Sequence, residues 1–261
     1  MITLIKTSVK KFTEIWYNRT MKLLIPSAKE LNEQARSLEP QPLSQNTKII
    51  LQALKDFSLK ALATFYGISE ERALVEKERI EALLDGSAKT YPALELFDGL
   101  MYRSIERQDL SKKEQAYLQE HLLITTALYG VIPAHEGIAP HRLDFMMKLK
   151  PAGKSLKALW REDYDQALEG EEEILSLLSS EFELVFSKAI RERMIQIKFM
   201  ENRGGTLKVH STISKKARGA MVTAMMKEEI THLEDLKSLE VAGFSYREDL
   251  SQEKEWVFVK E

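Results

Sequence analysis

Residues 127–150, reading ALYGVIPAHEGIAPHRLDFMMKLK, limit the folds open to this chain more than any other stretch. They hold two of its seven prolines, two of its eleven glycines and two of its five histidines. Gly130 and Gly137 admit a positive φ, whereas Pro133 and Pro140 fix φ and remove backbone donors, so the backbone must turn sharply here. Upstream, residues 111–126 read as a helix. Downstream, Leu143, Phe145, Met147 and Leu149 alternate as in a strand. A tight turn carrying His135, His141 and Arg142 is either a polar connector or the wall of a site, and connectors are the commoner case.

The rest of the pattern mixes the two kinds of element. Met21, Leu23, Leu24 and Ile25 predict a buried first strand, closed by Pro26, Ser27 and Ala28, with Lys29 at its carboxyl end. Three helices are expected at residues 43–56, 58–66 and 69–84. Ser69 caps the third, and Gly67 and Gly86 end the second and third. Ser111 and Glu114 have the spacing of a capping box. A further helix is expected from Gly153 and Ser155 through Trp160 to about residue 168, followed by a solvated acidic run at 169–173 and a short strand at 174–178. Asn202-Arg203-Gly204-Gly205 predicts a hairpin between strands at 191–200 and 206–213. A helix at 214–230 and a last strand at 256–259 complete the set. With no regular repeat and no flexible linker, the expectation is a single α+β domain over residues 21–261.

Residues 1–20 are expected to be an extension outside that domain, or a basic tail. Lys6, Lys10 and Lys11 interrupt the apolar core that a signal peptide needs. They and Arg19 face only Glu14, so the rest of the chain is more acidic than the overall net charge of −2 indicates. A chain that is not globally basic can bind nucleic acid only through a local patch. There is no cysteine, which excludes disulfides, a thiol nucleophile and thiolate metal sites, and fits a reducing compartment. No run of roughly eighteen apolar residues occurs, so no membrane span is expected.

The sharpest local anomaly is Ser214-Lys215-Lys216-Ala217-Arg218-Gly219. Three cations would crowd the first turn of a helix whose free N–H groups already make that end positive. An anion seated against them would resolve the conflict, phosphate first of all; side chains splayed into water are the plainer explanation. His135, Glu136, His141 and Asp144 are metal-ligand types, but their spacing matches no metal motif, so neither metal nor cofactor is expected. Walker, dinucleotide-binding and nucleophile-elbow motifs are all absent, and the residues alone identify no enzyme.

Several ordered motifs together resemble the YaaA family of bacterial peroxide-stress-response proteins. They are Leu24-Ile25-Pro26-Ser27-Ala28-Lys29, with serine and proline exchanged relative to the family, and Gly99 with Tyr102. Next come Leu128-Tyr129-Gly130-Val131 and Pro140-His141-Arg142-Leu143, where the family more often has tyrosine in place of His141. Gly153-Lys154, Trp160, Ser180-Glu181-Phe182 and Lys215-Lys216-Ala217-Arg218-Gly219 follow. The resemblance implies a cytoplasmic DNA-binding protein that limits iron-dependent oxidative damage. It also implies one α+β unit with a positively charged cleft and a helix-hairpin-helix element, placed here on the helix ending near Thr126 and the turn at 128–131. Lys29, Tyr129, Gly130, Arg142, Lys215, Lys216 and Arg218 would then contact DNA phosphates without reading base sequence. Two alternatives stand beside it: an enzyme acting on a phosphorylated or nucleotide substrate in the same cleft, with His141 as acid or base, and an iron-binding protein using His135, Glu136, His141 and Asp144.

Overall fold

Strand β1 (Lys22–Pro26) is followed by helices α1 (Gln45–Lys55), α2 (Leu59–Tyr66) and α3 (Glu70–Asp85). Strand β2 (Tyr91–Pro92) runs into the short α4 (Ala93–Leu96), and α5 (Lys112–His121) leads directly into β3 (Leu122–Thr126). After β4 (Gly130–Pro133) and β5 (Gly137–Ile138) come α6 (Leu156–Gln166), β6 (Ile174–Ser176), α7 (Ser180–Glu183) and α8 (Lys188–Arg191). The remaining elements are β7 (Met194–Arg203), β8 (Thr206–Lys208), α9 (Ser211–Lys227), β9 (Ser245–Tyr246) and β10 (Glu255–Lys260). This computed structural model describes residues 21–261, so the extension expected at residues 1–20 lies outside the described residues.

Helices and strands share one unit built on a mixed sheet of order β4-β3-β1-β6-β7-β10-β9, with β8 folded back on the end of β7. Its centre, β3-β1-β6-β7-β10, is parallel throughout, and antiparallel strands close the edges. Parallel strands need crossovers, which place helices on both faces and bury each strand from two sides. Strand β1 shows this directly. Leu23 and Ile25 enter one hydrophobic cluster with α9, while Leu24 enters another with α1, α2 and α6. Among the described residues no helix is long and apolar enough to cross a membrane.

Four expectations about elements need correction. The helix of residues 111–126 stops at His121, because Leu122–Thr126 is an apolar, β-branched run that pairs with β1 on one side and β4 on the other. The turn at 127–129 therefore joins two strands, and residues 122–133 are a β-hairpin rather than part of a helix-hairpin-helix element. No strand forms over 143–149. The Asp144 Oδ1 accepts the Met146 N–H at 2.9 Å, a local turn that ends any extended run, while Leu143, Phe145 and Leu149 all enter the cluster shared by α1, α2 and α6. Strand β8 ends at Lys208 and α9 begins at Ser211 with His210 as its N-cap, so the helix is 211–227 instead of 214–230.

Candidate functional site: a cation-lined cleft at the carboxyl end of strand β1

The first strand, β1, has β3 on one side and β6 on the other, so successive connections leave it in opposite directions. In open parallel sheets, ligand crevices form outside the carboxyl ends of strands at such a switch point. Here that end is Pro26-Ser27-Ala28-Lys29. It is fixed by the Tyr102 hydroxyl donating to the Pro26 carbonyl at 2.9 Å and by the Ser27 N–H donating to the Thr125 carbonyl at 2.9 Å. Gly99 lies so close that a Cβ on it would meet the Ala28 Cβ at 3.0 Å.

A cleft of about 630 Å³ opens beside Lys29, walled by α3, the segment after β1 and Arg142. Five cations line it, Lys29, Arg72, Arg79, Arg103 and Arg142. Most are neutralised in place. Arg79 pairs with Glu33 and, at 2.7 Å, with Glu76; Arg103 pairs with Glu30 at 2.5 Å and Asp98 at 3.0 Å. The Lys29 ammonium stands 2.7 Å from the Asp144 carboxylate. Among the described residues, Arg72 and Arg142 have no carboxylate at ion-pairing distance, and the Arg142 Nε is buried with no hydrogen-bond partner. Burial raises the pKa of Glu76, against the pull of Arg79 and then Arg142.

Next to Arg142, His141 is locked in the interior, beside a small hollow rather than the cleft itself. Its Nδ1 lies 2.9 Å from the Ala139 carbonyl, and its ring meets Tyr129 and Phe97 edge-on at centroid distances of 5.1 and 5.9 Å. Burial lowers its pKa to about 4, so the ring is neutral near pH 7 and suits the enzymatic role considered for it poorly.

Tyr129 and Gly130 are occupied by the protein itself. The Tyr129 hydroxyl accepts the Ala139 N–H at 3.0 Å, and its backbone N–H donates to Thr126 Oγ1 at 2.7 Å. Gly130 has φ 81°, and a Cβ there would fall 2.8 Å from the Trp160 ring. The carbonyls of Thr126, Ala127 and Leu128 are taken by Tyr164, Trp160 and Thr47. This turn is packed against α6 and α1, so these two residues position the loop that carries His141 and Arg142.

Lys215, Lys216 and Arg218 fall in the second turn of α9, not the first, because the helix starts three residues earlier than its sequence pattern indicated. The macrodipole is concentrated in the first turn, so the electrostatic anomaly is smaller than expected. Lys215 and Lys216 are exposed, whereas Arg218 is half-buried. The four metal-ligand candidates are divided among different tasks: Asp144 holds Lys29, His141 bonds Ala139, and His135 and Glu136 border separate hollows. Among the described residues no three His, Asp or Glu side chains form a group that could hold a metal ion.

Arg72, Arg79, Arg103 and Glu76 line the cleft without having been singled out from the sequence. A signal did exist for three of them, since positions 72, 76 and 79 fall on one side of a helix. Arg103 had none. Residues 21–250 match the family described as "Peroxide stress protein YaaA". A UPF0246 protein of Streptococcus sanguinis is 60% identical over 241 residues, which is 92% of this chain and 100% of that protein. UPF0246 proteins of Streptococcus gordonii and Streptococcus pneumoniae are each 56% identical, covering 92% of this chain and 98% and 100% of their own lengths. The chain belongs to the peroxide stress protein YaaA family.

Proposed function

We propose that this protein binds DNA through phosphate contacts in the cleft beside β1, and that this binding serves to limit iron-dependent damage during peroxide stress. The observation that carries the reading is Arg142, which reaches the cleft with a buried, unpartnered Nε while Lys29, Arg79 and Arg103 around it are neutralised by carboxylates. A guanidinium left unsatisfied in a groove is a ready partner for a phosphate oxygen. Lys215 and Lys216, exposed on α9, extend the positive field toward it.

In this reading the helix-hairpin-helix element implied by the resemblance is assigned to α2 and α3 instead of the turn at 128–131. These helices are joined by Gly67-Ile68-Ser69, with Gly67 at φ 63° and its N–H turned back to the Ala63 and Thr64 carbonyls. Ile68 and Arg72, from the turn and the first turn of α3, line the cleft. Such a tight helical hairpin can bring backbone and cation to a phosphate without reading a base.

Duplex binding measured over a salt series tests this. Arg142→Gln is expected to weaken mixed-sequence duplexes about tenfold, and to lower the slope of log affinity against log salt by about one, while the thermal transition persists. A wild-type affinity that ignores salt points instead to a small phosphorylated substrate. An Arg142→Gln protein that binds duplexes as tightly as the wild type removes the cleft from the interface.

A further inference from the structure

A second group of unsatisfied polar atoms lies beyond the carboxyl end of β6. Helix α7 returns Glu183 to the sheet, where its Oε1 accepts the Ser176 hydroxyl at 2.6 Å and its Oε2 accepts the Gln196 amide at 2.9 Å. Two donors on its two oxygens fix the orientation of the side chain. Burial raises its pKa, against the pull of the Ser176 hydroxyl and of the charges of Arg218, from α9, and Arg191, from the end of α8, which favour the carboxylate. Yet neither guanidinium forms an ion pair with it, and the Nε of each is buried without a partner.

Ser214 adds a third orphan. It precedes Arg218 by four residues, which places the two on one side of α9 a turn apart, and its Oγ is likewise buried and unbonded. His210, four residues earlier again, continues the stripe with an unpartnered Nε2. A buried polar group left unsatisfied costs roughly 1–3 kcal/mol, so native chains rarely gather several in one place unless something else completes them.

The missing partner is defined by what surrounds it. Two guanidinium N–H groups and a hydroxyl ask for oxygen acceptors, and two positive charges against one negative charge ask for an anion. The carboxylate asks for the opposite, an O–H to accept. We propose that Arg191, Ser214, Arg218 and Glu183 form a binding site for a protonated phosphate group, either inorganic phosphate or a phosphomonoester. Near neutral pH inorganic phosphate offers oxygens to the arginines and always keeps a proton to donate to Glu183, whereas a monoester, whose second pKa is about 6, must take one up on binding. Sulfate and a phosphodiester carry no such proton, so Glu183 repels them. The site therefore differs in kind from the DNA-binding cleft, whose ligand is a diester, and it does not depend on that reading.

Calorimetric titration at pH 7 in a buffer free of both anions decides the matter. Inorganic phosphate is expected to bind one-to-one, with sulfate and dimethyl phosphate about tenfold weaker or more, because each would place an unprotonated oxygen against a carboxylate. Arg218→Gln is expected to weaken phosphate about tenfold, Glu183→Gln to bring sulfate level with phosphate, and Arg142→Gln to change neither. A deoxynucleoside monophosphate that binds more tightly than phosphate identifies a monoester as the ligand, and equal or weaker binding identifies the free ion. Absence of saturable phosphate binding, sulfate binding as tightly as phosphate, or an Arg218→Gln protein that binds phosphate like the wild type each overturns the proposal. The anion comparison on the wild type stands even if Glu183→Gln fails to fold.

Discussion

Positive charge gathers in two places, and they are built differently. In the cleft beside β1, arginines and a lysine arrive together with carboxylates, so that Arg79, Arg103 and Lys29 are already paired and the field is carried by Arg72 and Arg142. On α9 the two lysines stand in solvent, and only Arg218 turns inward, toward Glu183. Spacing along the sequence ranks α9 first, with three cations in four positions, yet five cations line the cleft. Each place holds one guanidinium whose buried Nε lacks a partner, Arg142 in the cleft and Arg218 on α9. Exposed lysines lose little by remaining hydrated, whereas a buried guanidinium nitrogen without an acceptor has given up its water and received nothing in return.

The contrast depends first on α9 lying where it does. A Cβ on Gly219 would sit 2.1 Å from the Met101 carbonyl oxygen and 2.8 Å from the Ser104 Cβ, so this helix touches the segment before it backbone to backbone. Gly219→Ala is expected to destabilise the fold by at least about 3 kcal/mol, net of the roughly 1 kcal/mol that alanine gains over glycine in a helix. Denaturant unfolding measures it. A variant as stable as the wild type means that α9 is not seated on residues 101–104, and the second cluster would have to be relocated.

The next effect belongs to the loop that carries Arg142 to the cleft and shows itself through pH. His141 has a pKa of about 4 in the folded chain against 6.5 unperturbed, because burial disfavours its charged form. The unfolded chain then takes up the proton more readily than the folded one. Stability is fully present above about pH 6.5 and is lost as pH falls toward 4, by about 3 kcal/mol in all. His141→Phe keeps a ring against Tyr129 and Phe97 and removes the proton. Its unfolding free energy should therefore fall about 3 kcal/mol less than the wild type's between pH 7 and pH 4. Equal acid sensitivity in the two proteins indicates that His141 reaches water, and the interior behind Arg142 is then not sealed.

Features written in a few adjacent residues were legible, and features assembled from distant ones were not. Ser69 and Ser111 each cap a helix as their spacing indicated, accepting N–H groups from Arg72 and Glu114. The hairpin at Asn202–Gly205 formed for the same reason: Gly204 and Gly205 supply the positive φ its turn needs. By contrast, Leu122–Thr126 continues an amphipathic helix on paper. Only its pairing with β1, about a hundred residues earlier in the chain, makes it a strand. Arg142 was found because it sits in a turn rich in proline and glycine. Arg103 and Arg79 were not, since what makes them cleft residues is their meeting with Glu30 and Glu33 across the fold.

The smallest effect separates the two clusters most directly. Lys215 and Lys216 lie past the first turn of α9, exposed and with no carboxylate at ion-pairing distance among the described residues. Replacing both with glutamate reverses charge at the surface and touches no packing, so stability should stay within about 0.5 kcal/mol of the wild type. Its effect on DNA is a matter of distance. Glu181 feels both Lys29 and Lys215, so the α9 surface lies within electrostatic reach of the edge of the cleft but not inside it. The double variant is therefore expected to weaken duplex binding only a few-fold at about 0.15 M salt, where screening acts over roughly 8 Å, and to do so more at low salt. Loss of binding as deep as that expected for Arg142→Gln means that the two clusters form one continuous phosphate-binding surface. Unchanged binding at low salt confines the DNA to the cleft and leaves α9 to whatever Arg218 and Glu183 hold.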